Sequence, residues 1–358
     1  MLPPPARYFP IEKGTYEVAP GLKGLSQPMG NGPRDAQVFQ FDSEFRKYRE
    51  NKLRCRQEDL AKYHLTSDYE PSVSTAVNRF IVARLTEEHP EYFRWNASQS
   101  TGSLFCALTG ETIEFDEKFE LSGVAPPSMA DVADANRIPY KTAFDALCSQ
   151  IQEDVAVVTS DPDSEASDGS MGRDWLAAIH LCSPGHWAAA DKIGKNFFDI
   201  HTPVAGIEKV NRAAKSLIDA VIHKGPYVRF VWGFGTDKRL NHHPTPPPGV
   251  PVEEWRGRSF RPPASQPHPA TQVNSAMRST QDSPFILRVE RQVLWGLPEV
   301  RSSLFLIRVY FIDGDEIRRD PRESALLRSG LLSMTQQSRV YKGLDGCMDE
   351  VIAWLDNG

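Results

Sequence analysis

The chain has 358 residues, of which 40% are apolar and 25% charged, with a formal net charge of −6. Enough apolar side chain is present to bury a large core, which excludes a chain disordered throughout. The acidic balance excludes a protein built to cover phosphate backbones, so no nucleic-acid partner is expected.

In chain order, Gly21-Leu22 and Gly24-Leu25 lie in an extended N-terminal arm. A charged stretch over 42–62 follows, mixing Phe45, Tyr48 and Leu53 with Lys47, Arg49, Lys52, Arg54 and Arg56. It reads as a basic helix with a solvated face. Val73, Val77, Phe80, Ile81 and Leu85 recur at helical spacing after Pro71, and His89-Pro90 ends that helix. A second helix is expected over 141–153, with Phe144, Leu147 and Ile151 on one face. Val155-Ala156-Val157-Val158-Thr159 reads as a strand, the acidic Ser/Gly-rich 161–174 as a mobile loop, and 175–182 as the returning strand of a hairpin.

Apolar spacing over 207–223 is helical again and stops at Gly225-Pro226. Three strand-like segments follow at 227–234, 285–295 and 304–312. Between the first two lies 241–283, Pro-rich and poor in apolar residues, which reads as a loop over the sheet or a disordered insertion. Two helices close the chain, over 321–337 and 344–356. Helices, hairpin, helix, consecutive strands and helices again make an α+β fold with an antiparallel sheet.

No run of about 18 apolar residues is present, so no membrane-spanning helix is expected. Met1-Leu2-Pro3-Pro4-Pro5-Ala6-Arg7 lacks the pattern of a secretory leader. Cys55, Cys106, Cys148, Cys182 and Cys347 are odd in number and without a CxxC. They read as buried free thiols in a reducing, cytoplasmic compartment, not as a disulfide, zinc or iron–sulfur framework.

The densest polar constellation is Ser183-Pro184-Gly185-His186-Trp187, Asp191-Lys192-Ile193-Gly194-Lys195 and Asp199-Ile200-His201-Thr202-Pro203. A stiff turn presenting a histidine suits a metal ligand, with an ordinary hydrogen-bonded histidine as the alternative. Lys192 and Lys195 either hold a carboxylate together or are simply solvated. In Arg288-Val289-Glu290-Arg291-Gln292, strand alternation sends Arg291 with the apolar residues, where it needs a partner. Arg229 faces away from Val228, Phe230, Trp232 and Phe234, and Arg308 repeats the pattern on the next strand. These charges either line a cavity or form a cross-strand ladder. His242-His243 reads as part of a solvated loop. There is no GxGxxG or P-loop pattern, no GxSxG elbow and no HExxH.

Lys192-Ile193-Gly194-Lys195 with Ile200-His201-Thr202-Pro203-Val204 resembles a signature of the haem-dependent oxidative N-demethylase alpha-subunit family. So does Arg288-Val289-Glu290-Arg291-Gln292-Val293-Leu294 with Leu297-Pro298 and Phe305-Leu306-Ile307-Arg308. Gln152-Glu153-Asp154, Arg229-Phe230-Val231-Trp232 and Tyr341-Lys342-Gly343 support it, as do Gly21-Leu22 and Tyr48-Arg49-Glu50-Asn51-Lys52 in the N-terminal part.

The resemblance implies a PAS-like antiparallel sheet flanked by helices that holds haem b. On this view residues 1–65 form an arm and basic helix packed on a haem-binding domain over 66–358. The implied chemistry is O2-dependent removal of a methyl group from a small amine, with electrons from a separate NAD(P)H-linked reductase. His201 is then the axial iron ligand, and Lys192, Lys195 and Trp187 are cofactor contacts. Arg229, Glu290 and Arg291 are the catalytic candidates: Arg229 to polarise O2 or anchor a propionate, Glu290 to pair with a cationic amine or with Arg291. The basic stretch 47–56 is the expected docking surface for the reductase. Val231 departs from the family's Arg-x-Asn-Trp, and the Pro-rich insertion is extra. A haem sensor or binding module without turnover is the alternative, and a protein that has kept the fold without haem is the third reading.

Overall fold

The computed structural model describes residues 1–98, 101–126, 138–165, 171–261 and 283–357. It is a mixed helix-and-sheet fold with two antiparallel sheets among the described residues. The larger is built from β1 (Lys23–Gly24), β2 (His64–Thr66), β7 (Asp154–Glu165), β8 (Met171–His180), β9 (Tyr227–Gly235), β10 (Ile286–Leu297) and β11 (Ser302–Asp313). Its order is β1-β9-β10-β11-β7-β8-β2. The three strand-like segments near the C-terminal end are therefore neighbours, and the β7–β8 hairpin extends the sheet beside them. The middle of that hairpin's acidic tip, 166–170, lies outside the described residues. The strands run on into the rest of the stretch expected to be loop, as far as Glu165 and from Met171.

The second sheet is a meander of β3 (Phe93–Ala97), β4 (Gly102–Cys106), β5 (Glu111–Phe115) and β6 (Leu121–Ala125). Helical periodicity does not report it. Its signal is strict alternation: Gly102, Leu104 and Cys106 are buried, as are Glu111, Ile113 and Phe115.

Between the sheets lie α1 (Phe45–Tyr63), α2 (Pro71–Glu88) and α3 (Ala143–Cys148). Pro71 opens α2 at its first position, where the missing N–H costs nothing. Val73, Val77, Ile81 and Leu85 bury one stripe of it in the main core with Val155, Val157, Val293, Leu304 and Leu306. The helix expected over 141–153 ends at Cys148, because residues 149–153 turn inward and are themselves buried.

α1 departs most from expectation. Its charges are not all solvated: Lys52 is 0% and Arg56 2% exposed. Lys52 donates to the carbonyls of Cys148 (2.7 Å) and Glu153 (2.5 Å), and Arg56 pairs with Asp145. Both residues therefore leave the expected docking surface.

On the other side of β8, α4 (Phe197–His201), α5 (Glu208–Arg212) and α6 (Ala214–Lys224) follow in turn. The helix expected over 207–223 is thus interrupted at Ala213. The C-terminal turn of α6 lies directly on the sheet at Gly296, where an added Cβ would come within 2.0 Å of the Ile222 carbonyl oxygen. Only glycine permits that approach.

Residues 262–282 of the Pro-rich insertion lie outside the described residues. The part before them packs into the fold: Asn241, His242 and His243 are buried, and Phe260 joins a core cluster with Phe285. A short α7 (Val252–Arg256) puts the Trp255 indole N–H 2.6 Å from the His243 carbonyl. The solvated loop expected at His242-His243 is thereby corrected. After β11 come α8 (Gly314–Arg319), α9 (Pro321–Leu332), α10 (Gln336–Tyr341) and α11 (Met348–Asp356). With the arm residues Tyr8 and Ile11 they cover one end of the large sheet.

Candidate functional site

Register divides the large sheet into two chemically different faces. Glu290 lies opposite Val231 and Val309, and Gln292 opposite Arg229 and Ile307. These residues share one face with Arg288, Leu294 and Phe305. Arg291 pairs with Phe230 and Arg308 on the other face, among the core side chains. The face carrying Glu290 is less completely covered, with Arg229, Val231, Arg288, Glu290, Leu294 and Phe305 only half-buried.

The segment after β8 lies over that face. Trp187, Ile193 and Ile200 pack with Phe305 against Ala156, Ile179, Leu181 and Ile307. Asn196 caps α4 through Asp199 N–H (2.8 Å), and the Asp174 carboxylate accepts from Phe197 N–H (2.7 Å). Their combined effect is to fix the end of α4, where His201 projects. Its Nδ1 donates to the Phe197 carbonyl at 2.7 Å, with the two rings 4.2 Å apart. A carbonyl only accepts, so Nδ1 carries the proton and the Nε2 lone pair is free. Nε2 has no partner among the described residues. Burial, with help from Lys192 and Arg229, holds the His201 pKa down to about 4, so the imidazole is neutral at pH 7.

Lys192 lies on the same cover, its ammonium 3.0 Å from the Ile200 carbonyl and 4.9 Å from the Trp187 ring centre. Burial lowers its pKa, against Asp191 and Glu290. Burial likewise lowers that of Arg229, again against Glu290. The Arg229 Nε is shielded from solvent without a hydrogen-bond partner. Glu290 itself accepts from Gln292 Nε2 (3.0 Å) and lies 3.7 Å from Arg288 Nε. His201, Lys192, Arg229, Glu290 and Trp187 are thus brought together. This set suits haem chemically: an unprotonated imidazole nitrogen for iron, an apolar wall for the ring and, for a carboxylate, a half-buried cation whose Nε has no hydrogen-bond partner among the described residues.

The other sequence candidates separate from this group. Lys195 is exposed, and only its backbone is engaged, accepting from Leu176 N–H at 2.9 Å. Arg291 is 0% exposed and donates to the carbonyls of Asp35 (3.1 Å) and Gln37 (2.7 Å), so the expected pairing with Glu290 does not form. Arg308 lies on that same buried face, 2.6 Å from Asp42 and over the Tyr48 ring, so it does not repeat the placement of Arg229. His186 sits in a left-handed backbone conformation with its ring 5.1 Å from that of His242, grouped with Asp237, Arg239 and Arg288.

Sequence reasoning left Lys342 without a role. Its ammonium reaches back from the end of α10 to the Trp232 carbonyl and within electrostatic range of Glu290 and Arg229. The signal was its place in Tyr341-Lys342-Gly343, a helix end whose glycine has φ +66°.

A second cluster, Asp154, His180 and Cys182, has candidate ligand atoms within 4.8 Å of one another. Its groups are already engaged. The Asp154 carboxylate accepts from Cys182 N–H (3.0 Å) and Ser183 N–H (2.6 Å) beside the Lys52 ammonium, and His180 bonds to Asp145. It is a structural network under the sheet.

Among the described residues, fold and site together gather one neutral imidazole, the cations Lys192, Arg229 and Lys342, and the Glu290 carboxylate at one partly covered sheet face. The chain belongs to the family described as haem-dependent oxidative N-demethylase, alpha subunit-like, whose model matches residues 32–352.

Proposed function

We propose that this chain is the haem-carrying subunit of an oxidative N-demethylase, or a related monooxygenase, acting on a small amine. On this reading the large sheet is the PAS-like core of a haem-binding domain over 66–358, on which the arm and helix of 1–65 pack, with β1 and β2 pairing onto its edges. The observation that carries the proposal is the neutral His201 imidazole, its proton on Nδ1 and its Nε2 without a partner among the described residues, within electrostatic range of Lys192 and Arg229.

Haem b, when bound, supplies the O2 chemistry. His201 would hold the iron, and its bond to Phe197 fixes the ring's tautomer and orientation. Arg229 and Lys192 hold carboxylates. Trp187, Ile193, Ile200 and Phe305 keep water from the sheet face. Glu290, the carboxylate that acts on Arg229, Lys192 and Lys342, pairs with the protonated amine, while Val231, directly across from it, gives the amine an apolar neighbour. The methyl carbon leaves as formaldehyde, with one oxygen atom in it and the other in water. Two electrons and two protons are taken up, and the electrons come from a separate reductase. The family's description as an alpha subunit supports assembly with partner proteins.

The test is formaldehyde release. Haem-loaded chain with an N-methyl amine, O2 and NADPH is expected to be inactive until a reductase system is added. Formaldehyde from the lone chain with NADPH contradicts the external electron source. A haem that is reduced and reoxidised with no formaldehyde from a panel of small N-methyl amines contradicts turnover and favours a sensor or carrier. Glu290→Gln keeps the shape but removes the charge. It is expected to raise KM for a cationic amine about tenfold to a hundredfold, the equivalent of one charge-assisted hydrogen bond. An unchanged KM removes Glu290 from the amine site.

A further inference from the structure

Two cations at this site act on each other electrostatically, and neither is bonded to an anion among the described residues. The half-buried Arg229 guanidinium has neither a hydrogen bond nor an ion pair among the described residues, and its Nε is sealed from solvent. Lys342 comes from the C-terminal part of the chain, 113 positions after Arg229. Its backbone is fixed by the turn that ends α10, where Gly343 N–H donates to Val340 (3.0 Å) and Leu344 N–H to Arg339 (2.9 Å), with the Leu344 side chain fully buried.

The Lys342 ammonium is enclosed by the rings of Trp232 (5.1 Å), Tyr16 (5.8 Å) and Tyr341 (6.0 Å) and makes its one hydrogen bond to the Trp232 carbonyl. An ammonium has three N–H donors, so two have no partner among the described residues. Burial lowers its pKa to about 8, and Arg229 adds to that lowering while Glu290 opposes it.

Glu290 is the native carboxylate whose charge acts on both. It senses both cations but is bonded to neither, being engaged by Gln292 and Arg288. Two like charges shielded from water and held without an anion are costly. A planar carboxylate would accept from the Arg229 fork and from the free Lys342 donors at once.

We propose that Arg229 and Lys342 form a clamp for a carboxylate of the bound ligand, which makes Lys342, carried by the C-terminal segment, a binding residue of this site. The inference deepens the haem reading, which supplies one of the two sources of that carboxylate. A haem propionate is the first. The second is a carboxylate on the amine itself, making the substrate class N-methylated amino acids.

The experiment compares wild type, Arg229→Met, Lys342→Met and Lys342→Arg, each checked for folding by circular dichroism and thermal unfolding. Kd is measured for haem and for haem dimethyl ester, whose carboxylates are masked. On the loaded proteins, Kd is then read from absorbance shifts for N-methylglycine and N-methylethylamine. If the clamp holds a propionate, both Met variants weaken haem about tenfold or more, the ester much less, and Lys342→Arg restores affinity. If it holds the substrate, haem affinity is unchanged while N-methylglycine, and not N-methylethylamine, is weakened by a similar factor.

Folded Met variants that change neither comparison, or that weaken carboxylate and masked forms equally, overturn the clamp. Failure of wild type to bind either haem form overturns the function proposed above instead. The clamp is then decided by calorimetry with N-methylglycine on the apoprotein: binding lost in Lys342→Met supports it, and absence of binding to wild type overturns it.

Discussion

Asp145→Ala should cost about 3–5 kcal/mol of folding stability, the range for removing one partner of a buried ion pair. Asp145 is 0% exposed and is paired with Arg56, bonded to His180 Nε2 (3.3 Å) and accepts from Lys141 N–H (2.9 Å). Without it, the Arg56 and His180 charges remain in the interior beside each other. Lys238→Ala, which breaks an ion pair at the surface between Lys238 and Asp313 (2.8 Å), should cost about 0–1 kcal/mol. Urea unfolding of both variants at constant slope gives the comparison. Equal, small losses would show that the Asp145 network is not buried as described.

The same network sets a dependence on pH. Burial opposes the charge on Asp145, but His180 and Arg56 outweigh it and hold its carboxyl well below the usual range. That contribution is present above the ordinary carboxyl pKa of about 4 and is lost as pH falls below it. His180 moves the other way. Burial lowers its pKa, but Cys182 and the bond to Asp145 raise it to about 9. Its contribution is complete below about 6.5 and disappears as pH rises toward 9. Stability should therefore decline on both sides of neutrality, and Asp145→Ala should flatten both limbs.

His201→Ala should remove the histidine-ligand signature from the haem absorption and electron paramagnetic spectra and lower haem affinity at least tenfold. Added imidazole should restore the signature by filling the space left by the ring. His186→Ala should leave the signature intact, because that ring belongs to the His242, Asp237 and Arg239 group at another part of the sheet face. Loss of the signature on His186→Ala alone would move the axial ligand away from His201.

Much of this architecture was legible because burial leaves periodic traces. Val73, Val77, Ile81 and Leu85 give α2 by their helical spacing, and alternation in 227–234, 285–295 and 304–312 gives three adjoining strands. Alternation also assigns Arg229 and Glu290 to one face and Arg291 to the other, which the register bears out. The small meander was missed because its strands have five residues each and one, Leu121–Ala125, has no buried position at all.

Charge is where sequence reading ran out. Nothing in the composition of α1 distinguishes Arg46, which is exposed and pairs with Glu50, from Arg56, which is buried against Asp145, 89 positions further on and in a different element. Long-range partners decide that, and periodicity does not carry them. Lys342 is the counterpart at the candidate site, since its link to Arg229 and Glu290 exists only once α10 has folded back beside β9.

Haem is proposed to bind between the sheet face carrying Arg229 and Glu290 and the cover carrying His201, and titration of the purified, folded chain with haem tests this most directly. The account predicts an intense Soret band that saturates at one equivalent, with a histidine-ligated spectrum that Arg291→Lys, on the opposite face, leaves unchanged. A folded protein that develops no such band would contradict it.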